Sequence, residues 1–265
     1  MKKFPLFAAA LATLFLFSCS KDDETPAPEP WIPDYCEFQI HYFVPDVPIQ
    51  TVVSDSMLVN DALYATGKEI GLLYSYSGLP NPIAVNGSVQ PLYFVGYKDM
   101  VLKLFKNNIP VYDKKISNIE NGGTYHLVIY DPAKEPAVFS RMTKAEDIRP
   151  TIRVKFANFL FQNPTTKYSG TVRLQYAYQD DDDWQTIGNA LNFGEATDSF
   201  SIEVKDTYQY IRFRVVDKNG SQMGTSDGEI ALNITPDLGF RYSVLIVGGC
   251  LQDGQSANLF QWRSL

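Results

Sequence analysis

The stretch TIRVKFANFL, residues 151–160, alternates Ile152, Val154 and Phe156 with Thr151, Arg153 and Lys155. A period of two puts alternate side chains on opposite faces of an extended chain, which marks a β-strand rather than a helix. The same pattern recurs in FQIHYFV (38–44), MVLKLFK (100–106), TYHLVIY (124–130), TVRLQYAY (171–178), YIRFRVV (210–216) and YSVLIV (242–247). Segments rich in Val, Ile, Tyr and Phe, separated at short intervals by turn residues, predict an all-β chain of antiparallel sandwich type. Past residue 18 only a polar segment around residues 140–148 reads as helical, as a single turn in a connection.

An internal repeat divides the chain. An opening strand near Phe38, a central LYFVGYKDMVLKLFKNN (92–108) and a closing GGTYHLVIY (122–130) follow in order. The order returns with Ile152, SFSIEVKDTYQYIRFRVVDKNG (199–220) and LGFRYSVLIVGG (238–249). Both central segments carry a Lys-Asp pair, Lys98 with Asp99 and Lys205 with Asp206. This predicts two tandem antiparallel β-sandwich domains of immunoglobulin-like type, residues 35–140 and 150–265.

Residues 1–18 have the form of a secretory signal: a basic start at Lys2 and Lys3, then an apolar run from Phe4 to Phe17. The run is shorter than the about 20 residues that span a bilayer. Ser18-Cys19 with Leu16 ahead of it resembles the bacterial lipobox, which implies lipidation of Cys19 and anchoring to a membrane. Ser20, Lys21, Asp22, Asp23 and Glu24 follow and resemble the export signal of Bacteroidetes surface lipoproteins, implying the outer membrane with exposure at the cell surface. Pro26, Pro28, Pro30 and Pro33 make residues 19–34 an acidic, proline-rich tether that extends without burying anything.

Loss of Lys2 and Lys3 with the leader takes the formal charge from −7 to −9. So acidic a chain is poorly matched to nucleic acid or anionic lipid surfaces, which call for clustered Lys and Arg. A hydrophobic content of 45% is ample for packed cores and argues against disorder.

The run HYFVPDVPIQTVV (41–53), with ISNIENGGTYHLVIYD (116–131) much later, resembles the domain of unknown function 4397. The resemblance rests on the Pro45-Asp46-Val47-Pro48 turn and on Gly123-Thr124-Tyr125, and it covers most of residues 36–139. It implies an extracytoplasmic β-sandwich, found in tandem and on lipoproteins, with no assigned reaction. The second half has the closing strand and lacks the Pro-Asp-x-Pro turn.

The chemistry available is sparse. The two histidines, His41 and His126, sit in alternating strands and meet only if the first and last strands of their domain pair. No Cys or further carboxylate lies beside either at metal-ligand spacing. There is no nucleophile elbow, no His-Glu-x-x-His and no phosphate-cradling glycine loop. The run Asp180 to Asp183 reads as a solvated hairpin tip, the alternative being a cation loop. Trp184, with Tyr176 or Tyr178, is the candidate aromatic platform for a sugar ring, although both tyrosines share the face of Val172 and Leu174 and so read equally as core. Trp262 lies in the tail NLFQWRSL, read as an amphipathic end that docks on the second domain.

Of three cysteines, Cys36 and Cys250 remain after Cys19 is lipidated. They are read either as a disulfide closing a very long loop or as two buried thiols. Asp55-Ser56-Met57 resembles the O-glycosylation acceptor of Bacteroidetes, with Ser56 the modified residue.

These readings predict a non-enzymatic surface lipoprotein without cofactor or metal, serving as a binding, adhesion or accessory module for a glycan, a host protein or an envelope protein. The alternatives are a structural component of an outer-membrane or fimbrial assembly and, last, a hydrolase built from scattered carboxylates.

Overall fold

The computed structural model describes residues 35–66, 73–79, 92–95, 100–142, 151–204, 210–225, 228–235, 242–252 and 257–263. The described chain is all-β, its strands forming several mainly antiparallel sheets. Residues 34–265 form one compact unit.

In the first half, strand Tyr35–Tyr42 lies at the centre of a sheet. It pairs in parallel with Thr124–Ile129, and antiparallel with Ser77–Leu79 and Leu92–Val95. Ala137–Ser140 extends the sheet beyond Thr124–Ile129. The facing sheet runs Ala62–Thr66, Ser56–Val59, Val101–Lys106, Ile109–Lys115. Its two hairpins turn on Asn60-Asp61 and Asn107-Asn108, all four at positive φ between 50° and 63°. Asn and Asp tolerate this left-handed conformation, which a two-residue turn needs to follow the strand twist.

The same strand order recurs in the second half. Thr151–Asn163 is central, parallel to Tyr242–Cys250 and antiparallel to Phe200–Glu203, with Asn258–Arg263 extending the sheet beyond Tyr242–Cys250. Opposite stands the sheet Gln185–Leu191, Val172–Tyr178, Ile211–Asp217, Ala231–Ile234.

Alternation sorts the side chains. Phe38, Ile40, Leu127, Leu102 and Leu104 fill the first core, and Ile152, Val154, Leu174, Phe213 and Leu245 the second. The central strands are also covered on their other face. Phe43, Tyr76 and Val128 from the first half form a third cluster with Ala157, Phe159, Val244, Ile246 and Trp262 from the second. This is why FANFLF loses the alternation, with apolar residues on both faces and only Asn158 polar, its buried side chain donating to the Leu191 carbonyl at 3.3 Å and accepting the Leu160 N–H at 3.1 Å. Trp262, at the end of the C-terminal strand, reaches past its own half to lie 5.0 Å from the His41 ring and 5.3 Å from Phe43.

Residues 143–150, which hold most of the predicted helical turn, lie outside the described residues, as do Lys98, Asp99, Lys205 and Asp206; Ser140 itself ends a strand.

Candidate functional site

The parallel pairing of Tyr35–Tyr42 with Thr124–Ile129 brings the two chain exits to the same end of the sheet, with Tyr42 opposite Ile129. One exit continues through Val44 and Pro45 into Asp46, held at φ 70°. The other continues through Tyr130, Asp131 and Pro132, where the Asp131 carboxylate accepts the Ala133 N–H at 2.9 Å and its carbonyl accepts the Lys134 N–H at 3.0 Å. Thr151–Asn163 from the second half runs out beside them and turns back at Pro164 into Thr166–Lys167, the Asn163 side chain capping the turn by accepting the Thr165 N–H at 3.1 Å. Together these segments enclose a cleft of about 320 Å³.

Its walls combine Tyr130 and Phe161 with Asp46, Asp131, Lys134, Lys167 and Thr165. Behind Tyr130, Phe193 packs edge-on at 5.3 Å and also meets Phe159 and Phe161, so the aromatic wall is backed by further rings. The Lys167 ammonium lies 4.8 Å from the Tyr130 ring centroid and 4.4 Å from that of Phe193, within cation–π range of both. Burial and then the nearby Lys134 charge hold its pKa below the usual lysine range, with Asp131 acting in the opposite direction. Lys134 itself is 3.4 Å from the Asp131 carboxylate. The cleft thus offers carboxylate acceptors, ammonium donors, a hydroxyl and aromatic surface at one place.

The structure places the sequence-predicted residues as follows. Cys19, Ser20, Lys21, Asp22, Asp23 and Glu24 lie outside the described residues. Trp184, Tyr176 and Tyr178 do not form one platform. Both tyrosines are buried in the second core, Tyr176 donating to Gln185 Oε1 at 2.6 Å and Tyr178 to the Glu203 carbonyl at 2.8 Å. Trp184 is instead covered by guanidinium groups, Arg214 at 4.0 Å and Arg212 at 5.1 Å from its ring centroid. The reason is the pleat: Arg212 and Arg214 alternate with Ile211 and Phe213 along their strand and so project from the face opposite the core.

Asp180 to Asp183 sit at the turn between Val172–Tyr178 and Gln185–Leu191. Arg212 donates to the Asp181 carbonyl and lies 3.5 Å from the Asp182 carboxylate, so the tip is clasped to the neighbouring strand. Among the described residues no three His, Cys, Asp or Glu side chains are grouped to hold a metal ion.

Cys36 and Cys250 are both buried and are not bridged to each other, so the reading as two buried thiols holds over that of a disulfide. They belong to separate sheets, Cys36 opposite Phe94 and Cys250 opposite Phe161. Cys36 packs against Met100, with sulfur atoms 3.5 Å apart, and burial pushes its thiol pKa up to about 12. Ser56 opens its strand half-buried, its hydroxyl 3.4 Å from Asp55 Oδ1.

His41 and His126 do meet, because the first and last strands pair. They are fully buried, with His41 Nε2 3.0 Å from His126 Nδ1.

The cleft escaped the sequence reading because its residues come from three distant stretches, two brought together by the parallel pairing and the third by the packing of the halves. The available signal was the pair of turns that follow paired strands, Pro45-Asp46 and Asp131-Pro132.

No family model and no curated protein matches the chain. Among solved structures, a leucine-rich repeat protein from Bacteroides thetaiotaomicron is similar at 10% identity with a TM-score of 0.18, over 85% of this chain and 26% of that one. The chain therefore spans about a quarter of that protein's length.

Proposed function

We propose that this chain is a non-enzymatic surface lipoprotein of the outer membrane, held by lipid on Cys19 and addressed by Ser20 to Glu24, whose tandem immunoglobulin-like sandwiches carry a glycan-binding module. The observation that carries this reading is the cleft at the junction of the halves, where Asp46, Asp131, Lys134 and Lys167 surround the Tyr130 and Phe161 rings. Sugars need this combination, a ring face for their C–H surface and charged acceptors and donors for their hydroxyls. The four charged side chains sum to zero, which favours a neutral sugar over a strongly charged one. A cleft near 300 Å³ suits one or two sugar rings.

Titration of the full-length chain with a panel of neutral oligosaccharides by calorimetry tests this. Binding that weakens about tenfold or more in Asp46→Gly and Lys167→Gln supports it. Glycine adopts the φ of 70° at position 46 without steric cost, so the first variant removes only the carboxylate. Absence of binding across the panel, with stoichiometric co-purification of an envelope protein, replaces this reading with that of a component of an outer-membrane or fimbrial assembly.

A further inference from the structure

The outer faces of the two central sheets meet through an aromatic layer that also contains ionisable groups. His41 lies on Tyr35–Tyr42 and His126 on the parallel strand beside it, both without solvent exposure. The His41 ring stands 5.0 Å from Trp262 of the second half and 6.4 Å from Phe43, and His126 packs 5.0 Å from Phe139.

The hydrogen bonding fixes how the pair is protonated. His41 Nδ1 is buried with no hydrogen-bond partner among the described residues. A buried orphan N–H is rarer and costlier than an orphan lone pair, so Nδ1 carries no hydrogen and Nε2–H of His41 donates to Nδ1 of His126. A proton arriving at the pair has only His41 Nδ1 to occupy, where nothing accepts it.

The surrounding charges add to the barrier. Arg141 and Lys155 are both buried and both act to keep His126 neutral. Lys155, from Thr151–Asn163, donates to the Ser140 carbonyl at 2.6 Å and to its hydroxyl at 3.2 Å, with Asp198 the acid that favours its charge. Glu37, the acid on the His41 strand, is engaged by Arg141 at 3.5 Å. Ser243 and Gln261 on the second half's strands bond each other and add no charge.

We propose that the His41–His126 pair is an acid-sensitive latch between the two halves: neutral, it lets their outer faces close, and two protons taken up on opening hold them apart.

Burial holds His41 down to about 3, and His126 well below its ordinary value. Because both are depressed in the closed form, closure is fully favoured above the ordinary histidine value of about 6.5 and is lost progressively as pH falls below it. Well below pH 6.5 each histidine raises the open-to-closed ratio about tenfold per pH unit, so the pair raises it about hundredfold per unit there and about 2,500-fold between pH 6.5 and 4.5.

The test follows Trp262 emission and quenching in the full-length chain, with Trp31 and Trp184 replaced by Phe, while circular dichroism reports the strands. The expected result is exposure of Trp262 on acidification with a two-proton dependence while strand signal persists. In the His41→Gln, His126→Gln double variant, which keeps a buried pair able to hydrogen-bond but unable to titrate, that dependence disappears. Should the double variant not fold, hydrogen exchange of the wild-type chain decides: amides around Phe43, Val128 and Trp262 must lose protection at higher pH than those around Leu104 and Phe213. Trp262 remaining buried down to pH 4, or both cores melting together with it, overturns the latch.

Discussion

Phe43 lies directly on Gly248. A Cβ placed on that glycine would stand 2.8 Å from Phe43 Cε1 and closer still to Cδ1, a separation no side chain tolerates. Gly248 sits within Tyr242–Cys250, opposite Phe159, so the first half's ring seats on bare backbone of the second half's central sheet. Close approach is the reason for a glycine inside this strand. Gly248→Ala is expected to destabilise the chain by about 1–3 kcal/mol through overpacking. Phe43→Ala should cost about 3–5 kcal/mol by leaving a cavity among Tyr76, Phe159, Phe260 and Trp262. Combining Gly248→Ala with Phe43→Leu should recover part of the loss. Denaturant unfolding of the three variants measures all of these.

Trp184 is predicted to act in stability and not in ligand capture. With Arg214 over its ring at 4.0 Å, and Arg214 Nε held by Gln175 Oε1 at 2.9 Å, the indole face is already occupied. Arg214→Ala should cost about 0.5–1 kcal/mol and shift Trp184 emission to longer wavelength. Trp184→Phe should leave oligosaccharide affinity unchanged in the same titrations that detect loss in the Lys167 variant.

The cysteines are predicted to be chemically silent. With the Cys36 thiol pushed up to about 12 and both sulfurs buried, a thiol-specific reagent should label neither Cys36 nor Cys250 in the folded chain and both after denaturation. Adding reductant should leave Tm where it was. A drop in Tm would reveal a bridge.

At the cleft, Tyr130→Ala should weaken neutral-sugar binding through loss of ring contact and also loosen Lys167, which rests on that ring. Tyr130→Phe keeps the ring and should retain most of the affinity. Calorimetry of the two variants separates stacking from the phenol hydroxyl.

Much of the fold was legible because alternation survives wherever one face of a strand meets a core and the other meets water. The strands Val172–Tyr178 and Ile211–Asp217, with buried and half-buried residues in turn at their start, are of that kind. The packing of the halves was hidden for the same reason. In Thr151–Asn163, burial on both faces erases the period and leaves a run, apolar but for Asn158, that fits any partner. Trp262 reads as part of a docking tail, yet that it meets His41 depends on two sheet faces that no local pattern connects. His41 and His126 were within reach of sequence reasoning only through the condition that their strands pair, and the cleft depended on that pairing too.

The parallel pairing has a mechanical consequence. A chain held at its N-terminus enters the fold at Tyr35, the start of the strand whose partner, Thr124–Ile129, leads out to Asp131 and the cleft. A pull applied between Tyr35 and the cleft would therefore run lengthwise along this pair and load the bonds from Glu37–Thr124 to Tyr42–Ile129 together, in shear. Antiparallel neighbours joined by a hairpin and pulled at their open ends would instead unzip one bond at a time. The arrangement makes the first strand the element through which any pull between the chain's entry at Tyr35 and the cleft must pass, and it yields only when the whole pair slides at once.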